Sequence, residues 1–215
     1  MRRLFCFFSV CILTACSTRL AAQRLADEYS TFYGGVIGGV NFSQIDGDNF
    51  AGYNKVGFNV GAIVYTKFDE HIAASLEILY SQKGSRSTKW AESETPGIYV
   101  VEHRIKLNYA EVPVMINYFD RRKSHFGAGL SYSQLATSTE TFRTSPVQNY
   151  DLNKFPFKKM DLNFILGGDL HLYHGLFLNL RFQYSLISIR DTLPASNRKA
   201  SQFSNMWVMR LMYLF

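Results

Sequence analysis

The last eleven residues of the chain, 205–215, constrain its fold more than any other segment, because two kinds of side chain alternate along them. One parity contains only apolar or aromatic residues: Trp207, Met209, Leu211, Tyr213 and Phe215. The other parity includes Arg210. Successive side chains of a β-strand point to opposite faces. The segment therefore predicts a strand with one wholly apolar face and one face that tolerates a charge.

A terminal aromatic strand of this kind resembles the C-terminal signal by which bacterial outer-membrane barrels are inserted. We therefore interpret Trp207, Tyr213 and Phe215 as an assembly signal. This interpretation implies the barrel-assembly machinery as a partner and the bacterial outer membrane as the location.

The N-terminus has the pattern of a secretory signal. Arg2 and Arg3 precede a short apolar run at 4–13, and the small residues at 20–22 offer a cleavage site. The apolar run is too short to span a bilayer. We expect a signal peptide at 1–22, a short N-terminal segment at 23–32 and a barrel at 33–215.

All three cysteines lie in the predicted signal peptide, at positions 6, 11 and 16. Ordinary cleavage leaves no cysteine in the mature chain, which excludes disulfides and thiolate catalysis. Residues 13–16 also resemble a lipobox, and in this alternative Cys16 becomes a lipidated first residue.

Eight segments in which apolar and polar residues alternate can be recognised in the rest of the chain. They are 33–42, about 55–65, 72–82, about 101–118, 125–135, 160–173, 176–189 and a last segment that ends at Phe215. After residue 22 no run of apolar residues is long enough for a spanning helix. Only closed barrels and helices satisfy all backbone groups in lipid. The sequence therefore predicts an all-β fold, an eight-stranded antiparallel up-and-down transmembrane β-barrel.

The connections alternate between tight turns and long polar segments. The turns are at 67–70, 120–123 and 174–175, and the long segments are at about 43–54, 83–100, 136–159 and 190–202. Outer-membrane barrels have short periplasmic turns and longer extracellular loops. Tyr80, Tyr132 and Tyr184 lie at similar distances above these turns and predict an upper aromatic girdle. A soluble barrel such as a lipocalin is the alternative, but it would bury its apolar face inside.

The fourth segment contains a change of parity. Its apolar residues occupy odd positions at 105–109 and even positions at 112–116. Either a bulge at Ala110-Glu111 returns both sets to one face, or the first half projects above the membrane.

Five motifs in order carry a family resemblance: 38–43, 74–84, 107–114, 126–129 and 180–184. Together they resemble the PorT-like outer-membrane β-barrel family of Bacteroidetes. The resemblance implies an eight-stranded barrel in the outer membrane. The named member of that family serves protein secretion, and most members have no assigned role.

The inward parity carries five ionisable residues that we predict to form a barrel-interior ionic cluster: Glu77, Glu111, Asp169, Arg181 and Arg210. Side chains fill the interior of an eight-stranded barrel, and buried charges there must pair. We expect the two arginines to share Asp169 and one of the glutamates. A gated polar pore for small solutes is the alternative.

No motif in the chain indicates catalysis. His71, His125 and His174 fall at tight turns, where exposed polar residues are ordinary. No nucleophile, histidine and carboxylate are brought together by spacing, and no metal-ligand spacing occurs. We therefore expect no enzyme, no cofactor, and no catalytic, cofactor-binding or metal residues.

The formal net charge of +6 includes three arginines of the signal segment. Nine further basic residues lie in the predicted outer loops: Lys83, Arg86, Lys89, Lys154, Lys158, Lys159, Arg190, Arg198 and Lys199. A basic rim can bind lipopolysaccharide phosphates through charge-assisted hydrogen bonds, and a solvated loop surface is the alternative.

These features predict a small outer-membrane barrel with a structural or binding role through its extracellular loops. The alternative is an accessory component of an outer-membrane protein secretion or transport machine. The expected partners are outer-membrane lipids, lipopolysaccharide, the barrel-assembly machinery and, for the alternative, secretion-system proteins. Nucleic acid is excluded as a partner outside the cell envelope.

Overall fold

The computed structural model describes residues 32–47, 52–87, 91–92, 97–148, 151–152, 155–191 and 201–215, and of 91–92 only the backbone. The predicted signal peptide, Cys16 and the N-terminal segment up to residue 31 lie outside the described residues.

Nine β-strands are formed by the described residues. They are β1 (Phe32–Asp46), β2 (Lys55–Lys67), β3 (Ile72–Ser87), β4 (Ala91–Glu92), β5 (Tyr99–Phe119), β6 (His125–Ser145), β7 (Met160–Tyr173), β8 (Leu176–Ser185) and β9 (Phe203–Leu214).

The eight long strands form a closed antiparallel ring. β1 pairs with β9, and β3 pairs with β5, so that each long strand has a neighbour on both sides. The short β4 adds to the outer end of β5. Closure leaves no sheet edge facing lipid. The predicted fold class is confirmed.

No helix of the described part of the chain has the length and apolar character needed to cross a membrane.

The outside of the ring is apolar and the inside is polar. Exposed apolar side chains alternate along the strands, among them Val60, Val64, Leu76, Ile78, Val112, Val114, Ile116, Leu130, Leu166, Leu170, Leu180, Met209 and Leu211. The intervening side chains are buried and many are polar, such as Asn59, Ser75, Asn117 and Asn163. This is the inverse of a soluble barrel and fits lipid outside the ring.

Three of the strands run further into the predicted long loops than the sequence indicates. β1 continues to Asp46, β3 to Ser87 and β6 to Ser145, whereas β8 ends at Ser185 instead of residue 189. Beyond the membrane both faces of a strand meet water or polar groups. The hydrophobic alternation then disappears although the backbone pairing continues, and a polar strand is misread as a loop.

Of the two alternatives for the parity change in the fourth segment, the bulge is not formed. The odd-numbered residues of β5 from His103 to Phe119 are all buried, so Ala110-Glu111 forms no bulge. The pairing with β6 shifts instead between Asn108 and Tyr109, where Ala136 is the extra residue of β6. The buried residues 105–109 therefore belong to the part of β5 that projects beyond the lipid-facing band.

Two apolar clusters close the barrel interior. We call the end with the tight turns the turn end and the opposite end the loop end. The turn-end cluster consists of Ile37, Ile63, Tyr65, Ala73, Leu79, Phe119, Phe177 and Met212. The loop-end cluster consists of Ile45, Ile105, Leu107, Tyr109 and Ile189. The buried ionic side chains lie between these clusters or next to them.

Candidate functional site

The centre of the interior is held by one carboxylate and two arginines, which we call the middle triad. Arg181 donates to Glu77 at 2.6 and 3.1 Å, and Arg210 donates to the same carboxylate at 2.9 and 3.3 Å. All three side chains are at most 3% exposed. The planar guanidinium fork matches both oxygens of a carboxylate, which makes such bonds short and directional.

Space for Arg210 is provided by a glycine on the neighbouring strand. Gly39 faces Arg210 in the register of β1 with β9, and a Cβ there would lie 2.6 Å from the Arg210 Cα. The Arg210 Nε also donates to the Asn179 Oδ1 at 2.8 Å. The guanidinium is therefore oriented by β8 as well as by Glu77.

A second ionic group, which we call the upper triad, lies nearer the loop end. The Lys83 Nζ is 2.5 Å from the Glu111 Oε1, 3.7 Å from the Asp161 Oδ2 and 3.2 Å from the Asn163 Oδ1. Ser133 also donates to Glu111, at 3.1 Å. The Lys83 and Glu111 side chains are completely buried.

A third group lies beside the turn-end cluster. The His125 Nε2 is 3.3 Å from the Asp169 Oδ2 and 2.9 Å from the Tyr65 hydroxyl. His125 was predicted to be an exposed turn residue, and this prediction is wrong, because its ring is buried and stacks on Phe119 with centroids 4.1 Å apart. As the first residue of β6 it has the inward parity.

The five residues predicted for the ionic cluster are thus distributed over three groups. Arg181 and Arg210 share Glu77, while Glu111 pairs with Lys83 and Asp169 with His125. Asp169 is therefore not the shared partner of the arginines. Lys83 was missed because it was assigned to a loop, although it has the same parity as Glu77. Asp161 has the inward parity of its strand but was left out of the predicted cluster.

The residues predicted as an assembly signal all lie on the outer face. Trp207, Tyr213 and Phe215 are about half exposed, and the Phe215 amide donates to the Gly34 carbonyl at 2.9 Å. The last residue is thereby tied to the first long strand.

A cluster of cations lies on the outer surface near the loop end. Arg86 of β3 is directly opposite Arg104 of β5, and Lys106 follows two residues away on β5. We call Arg86, Arg104 and Lys106 the basic surface. Partial burial, together with the charges of Lys106 and Arg104, lowers the pKa of Lys55, which is the first residue of β2 at the loop end. Glu102 pairs with Arg104 at 2.9 Å.

The predicted basic rim differs from this surface. Lys83 is a buried residue of β3, so its assignment to an outer loop is wrong. Arg190 lies in the connection between β8 and β9 as predicted, but its side chain is buried and does not belong to an exposed rim. Arg190 is 1% exposed, donates to Glu140 at 2.6 Å and lies 4.1 Å from the Phe157 ring centroid. Lys158 pairs with Asp191 at 2.8 Å. Lys159 is exposed as predicted, and the predicted rim residues at 89, 154, 198 and 199 lie outside the described residues.

Within the part of the chain that the structure describes, no group of three or more histidine, cysteine, aspartate or glutamate side chains could hold a metal ion.

A closed antiparallel ring with an apolar exterior and an ionic interior defines a membrane-spanning β-barrel. The chain belongs to the outer membrane protein beta-barrel domain family, which matches residues 21–191. Its location is the bacterial outer membrane. The turn end therefore faces the periplasm and the loop end faces the outside of the cell.

Solved structures with a similar fold are also barrels of bacterial outer membranes. Ail of Yersinia pestis, in complex with the heparin analogue sucrose octasulfate, is 12% identical, with 85% of this chain and 99% of Ail covered and a TM-score of 0.41. OprG of Pseudomonas aeruginosa is 12% identical, with 86% and 94% covered and a TM-score of 0.45. Neisserial surface protein A is 11% identical, with 86% and 98% covered and a TM-score of 0.44. None of the curated proteins that were compared matches the chain.

Proposed function

We propose that this protein is a closed, non-catalytic outer-membrane barrel that binds an anionic partner through the basic surface at its loop end. Its interior supports a structural role, because buried ion pairs fill the middle and apolar clusters lie at both ends. This filling argues against the alternative of a polar pore. The PorT-like assignment is part of the proposal and rests on the five ordered motifs.

The observation that carries the proposal is the pairing of Arg86 with Arg104. Like charges directly opposite each other destabilise a sheet. Lys106 adds a third positive charge nearby. Glu102 compensates one of the three positive charges, and a bound anion would neutralise the remaining repulsion.

The height of the basic surface favours lipopolysaccharide phosphates as the anion. On β3, Arg86 lies six residues beyond Tyr80. Lys106 is opposite Gly84, which lies four residues beyond Tyr80. With ~3.3 Å per residue and a strand tilt of ~40°, these positions lie roughly 10–15 Å above the aromatic girdle. At this height the basic surface lies outside the hydrocarbon band, on the side of the polar part of the outer leaflet, and arginine binds phosphate through two parallel hydrogen bonds.

Binding of purified lipopolysaccharide to the refolded protein tests the proposal. The triple variant Arg86→Gln, Arg104→Gln, Lys106→Gln is expected to bind about tenfold more weakly, since each lost charge-assisted contact weakens phosphate binding. Dephosphorylated lipopolysaccharide should bind equally weakly to both proteins. The matched control removes three exposed cations from the opposite end, by Arg121→Gln, Arg122→Gln and Lys123→Gln. Equal binding by the triple variant and the wild type would contradict the proposal.

The alternative role in a secretion machine rests on the family resemblance alone. Crosslinking in intact outer membranes would separate the two functions. A stable complex with secretion proteins that survives in the triple variant would favour the secretion role.

A further inference from the structure

We propose that the periplasmic mouth of the barrel is a binding site for a small aromatic carboxylate. A cavity of about 160 Å³ opens at the turn end. Its walls include Tyr33, Tyr65, Phe119 and Phe177, and Lys67 and Lys123 contribute cations. This site lies at the opposite end from the basic surface, so the inference goes beyond the proposed function.

The size of the cavity suits one aromatic ring. An apolar protein cavity of about 150 Å³ is large enough to hold benzene. Small-molecule sites are typically preformed, largely apolar and equipped with a few polar groups. The mouth has this composition, with aromatic walls and the Lys67 ammonium beside them.

The aromatic walls are held in place by contacts below the cavity. The rings of Tyr65 and Phe119 meet edge to face with centroids 5.8 Å apart. His125 supports both, because it stacks on Phe119 and lies within hydrogen-bond distance of the Tyr65 hydroxyl. Side chains fixed in this way do not need to be ordered when a ligand enters, which favours binding.

The charge of the site favours an anion. The Lys67 Nζ lies 5.1 Å from the Tyr33 ring centroid and 5.5 Å from that of Phe119. Among the residues that the structure describes, no carboxylate forms an ion pair with Lys67 or Lys123. Aromatic faces attract the ammonium but are weak acceptors for its three hydrogen-bond donors. A carboxylate attached to a bound ring would supply a stronger acceptor.

Two sources offer this chemistry in the periplasm. One is a free aromatic acid, and the other is the C-terminal residue of a peptide that ends in phenylalanine. Both combine one ring with one carboxylate at a short distance, so the same contacts would recognise them.

Fluorine NMR of 4-fluorophenylacetate with the refolded protein in zwitterionic micelles tests the site. We expect saturable binding that is at least about tenfold weaker for the neutral 4-fluorophenylacetamide, because the charge-assisted bond is lost. Lys67→Gln should weaken binding of the acid by a similar factor. The control Lys159→Gln, an exposed cation at the loop end, should leave binding unchanged.

The faster migration of the unheated protein on a denaturing gel verifies that each variant is folded. If Lys67→Gln does not fold, Lys123→Gln takes its place and should weaken binding in the same direction. Displacement of the fluorinated acid by an acetylated tripeptide ending in phenylalanine, but not by its C-terminal amide, would identify the peptide as the source. Displacement by free phenylacetate alone would identify the small acid. No saturable shift, or equal affinity for acid and amide, would overturn the proposal.

Discussion

The middle and upper triads of the barrel interior have opposite stoichiometry. The middle triad combines two arginines with Glu77, while the upper triad combines Lys83 with two carboxylates. When all groups are ionised, the middle triad therefore has a net positive charge and the upper triad a net negative charge. Stacked in one barrel, the two groups compensate each other.

The triads also differ in how completely their hydrogen bonds are satisfied. Both oxygens of Glu77 accept two bonds each, between 2.6 and 3.3 Å. In the upper triad two buried oxygens, Glu111 Oε2 and Asp161 Oδ1, have no hydrogen-bond partner among the described residues. In the middle triad, Arg181 Nε is the only buried polar atom without such a partner among the described residues. Arginine forks bind a carboxylate through fixed geometry, whereas a lysine acts as a point charge. The middle triad should thus contribute more than the upper triad to fixing a single arrangement of the interior side chains.

The largest effect is expected for Glu77→Gln. Arginine keeps its charge in proteins, so this change leaves two buried cations without a counter-charge. The free energy of unfolding should fall by about 3–5 kcal/mol, measured by urea unfolding in lipid vesicles. The control Glu70→Gln, on an exposed turn, should have little effect. A small loss for Glu77→Gln would show that water enters the centre of the barrel.

A smaller loss is expected for Lys83→Met. It leaves Glu111 next to Asp161, but a carboxyl group can bind a proton and so remove the repulsion. We expect a loss of about 2–3 kcal/mol in the same urea experiment, less than for Glu77→Gln. Lys159→Met, an exposed cation, serves as the control. If Lys83→Met were the more damaging change, the ranking of the two triads would be reversed.

A double variant tests which carboxylate holds the arginines. Combining Glu77→Gln with Arg210→Gln removes one charge of each sign and should recover about 1–3 kcal/mol relative to the sum of the single losses. The same cycle with Asp169→Asn and Arg210→Gln should show weaker coupling, since Asp169 contacts His125. Equal coupling in both cycles would place Asp169 in the middle triad.

The sequence predicts the fold well because lipid imposes alternation on every strand that it contacts. Leu180 and Arg181 are adjacent in the chain, and their opposite character alone assigns one to lipid and the other to the interior. The same signal vanishes beyond the lipid, where the extensions of β3 and β6 carry mainly polar residues on both faces. Lys83 lies in this region, and its burial could not be predicted without knowing that β3 continues to Ser87.

Which charged side chains meet inside the barrel depends on how far the strands are shifted relative to one another. A single sequence does not give these shifts. Inward parity places Glu77, Asp169, Arg181 and Arg210 in the barrel but does not give their relative heights. Arg181 and Arg210 lie on adjacent strands, and Glu77 reaches them across the interior. Such a contact is set by the stagger of the closed ring.

The smallest effect is expected for Glu111→Gln, although its side chain is completely buried. The change leaves Lys83 with Asp161, a matched pair, and the amide oxygen can still accept the bond from Ser133. Removing the surplus negative charge offsets the lost contact with Lys83. The free energy of unfolding should therefore change by less than about 1 kcal/mol. Urea unfolding of the Glu111→Gln and Glu77→Gln variants under the same conditions compares their losses of unfolding free energy directly, since both changes replace a buried glutamate by its amide. Losses of equal size would show that the stoichiometry of the two triads does not control their stability.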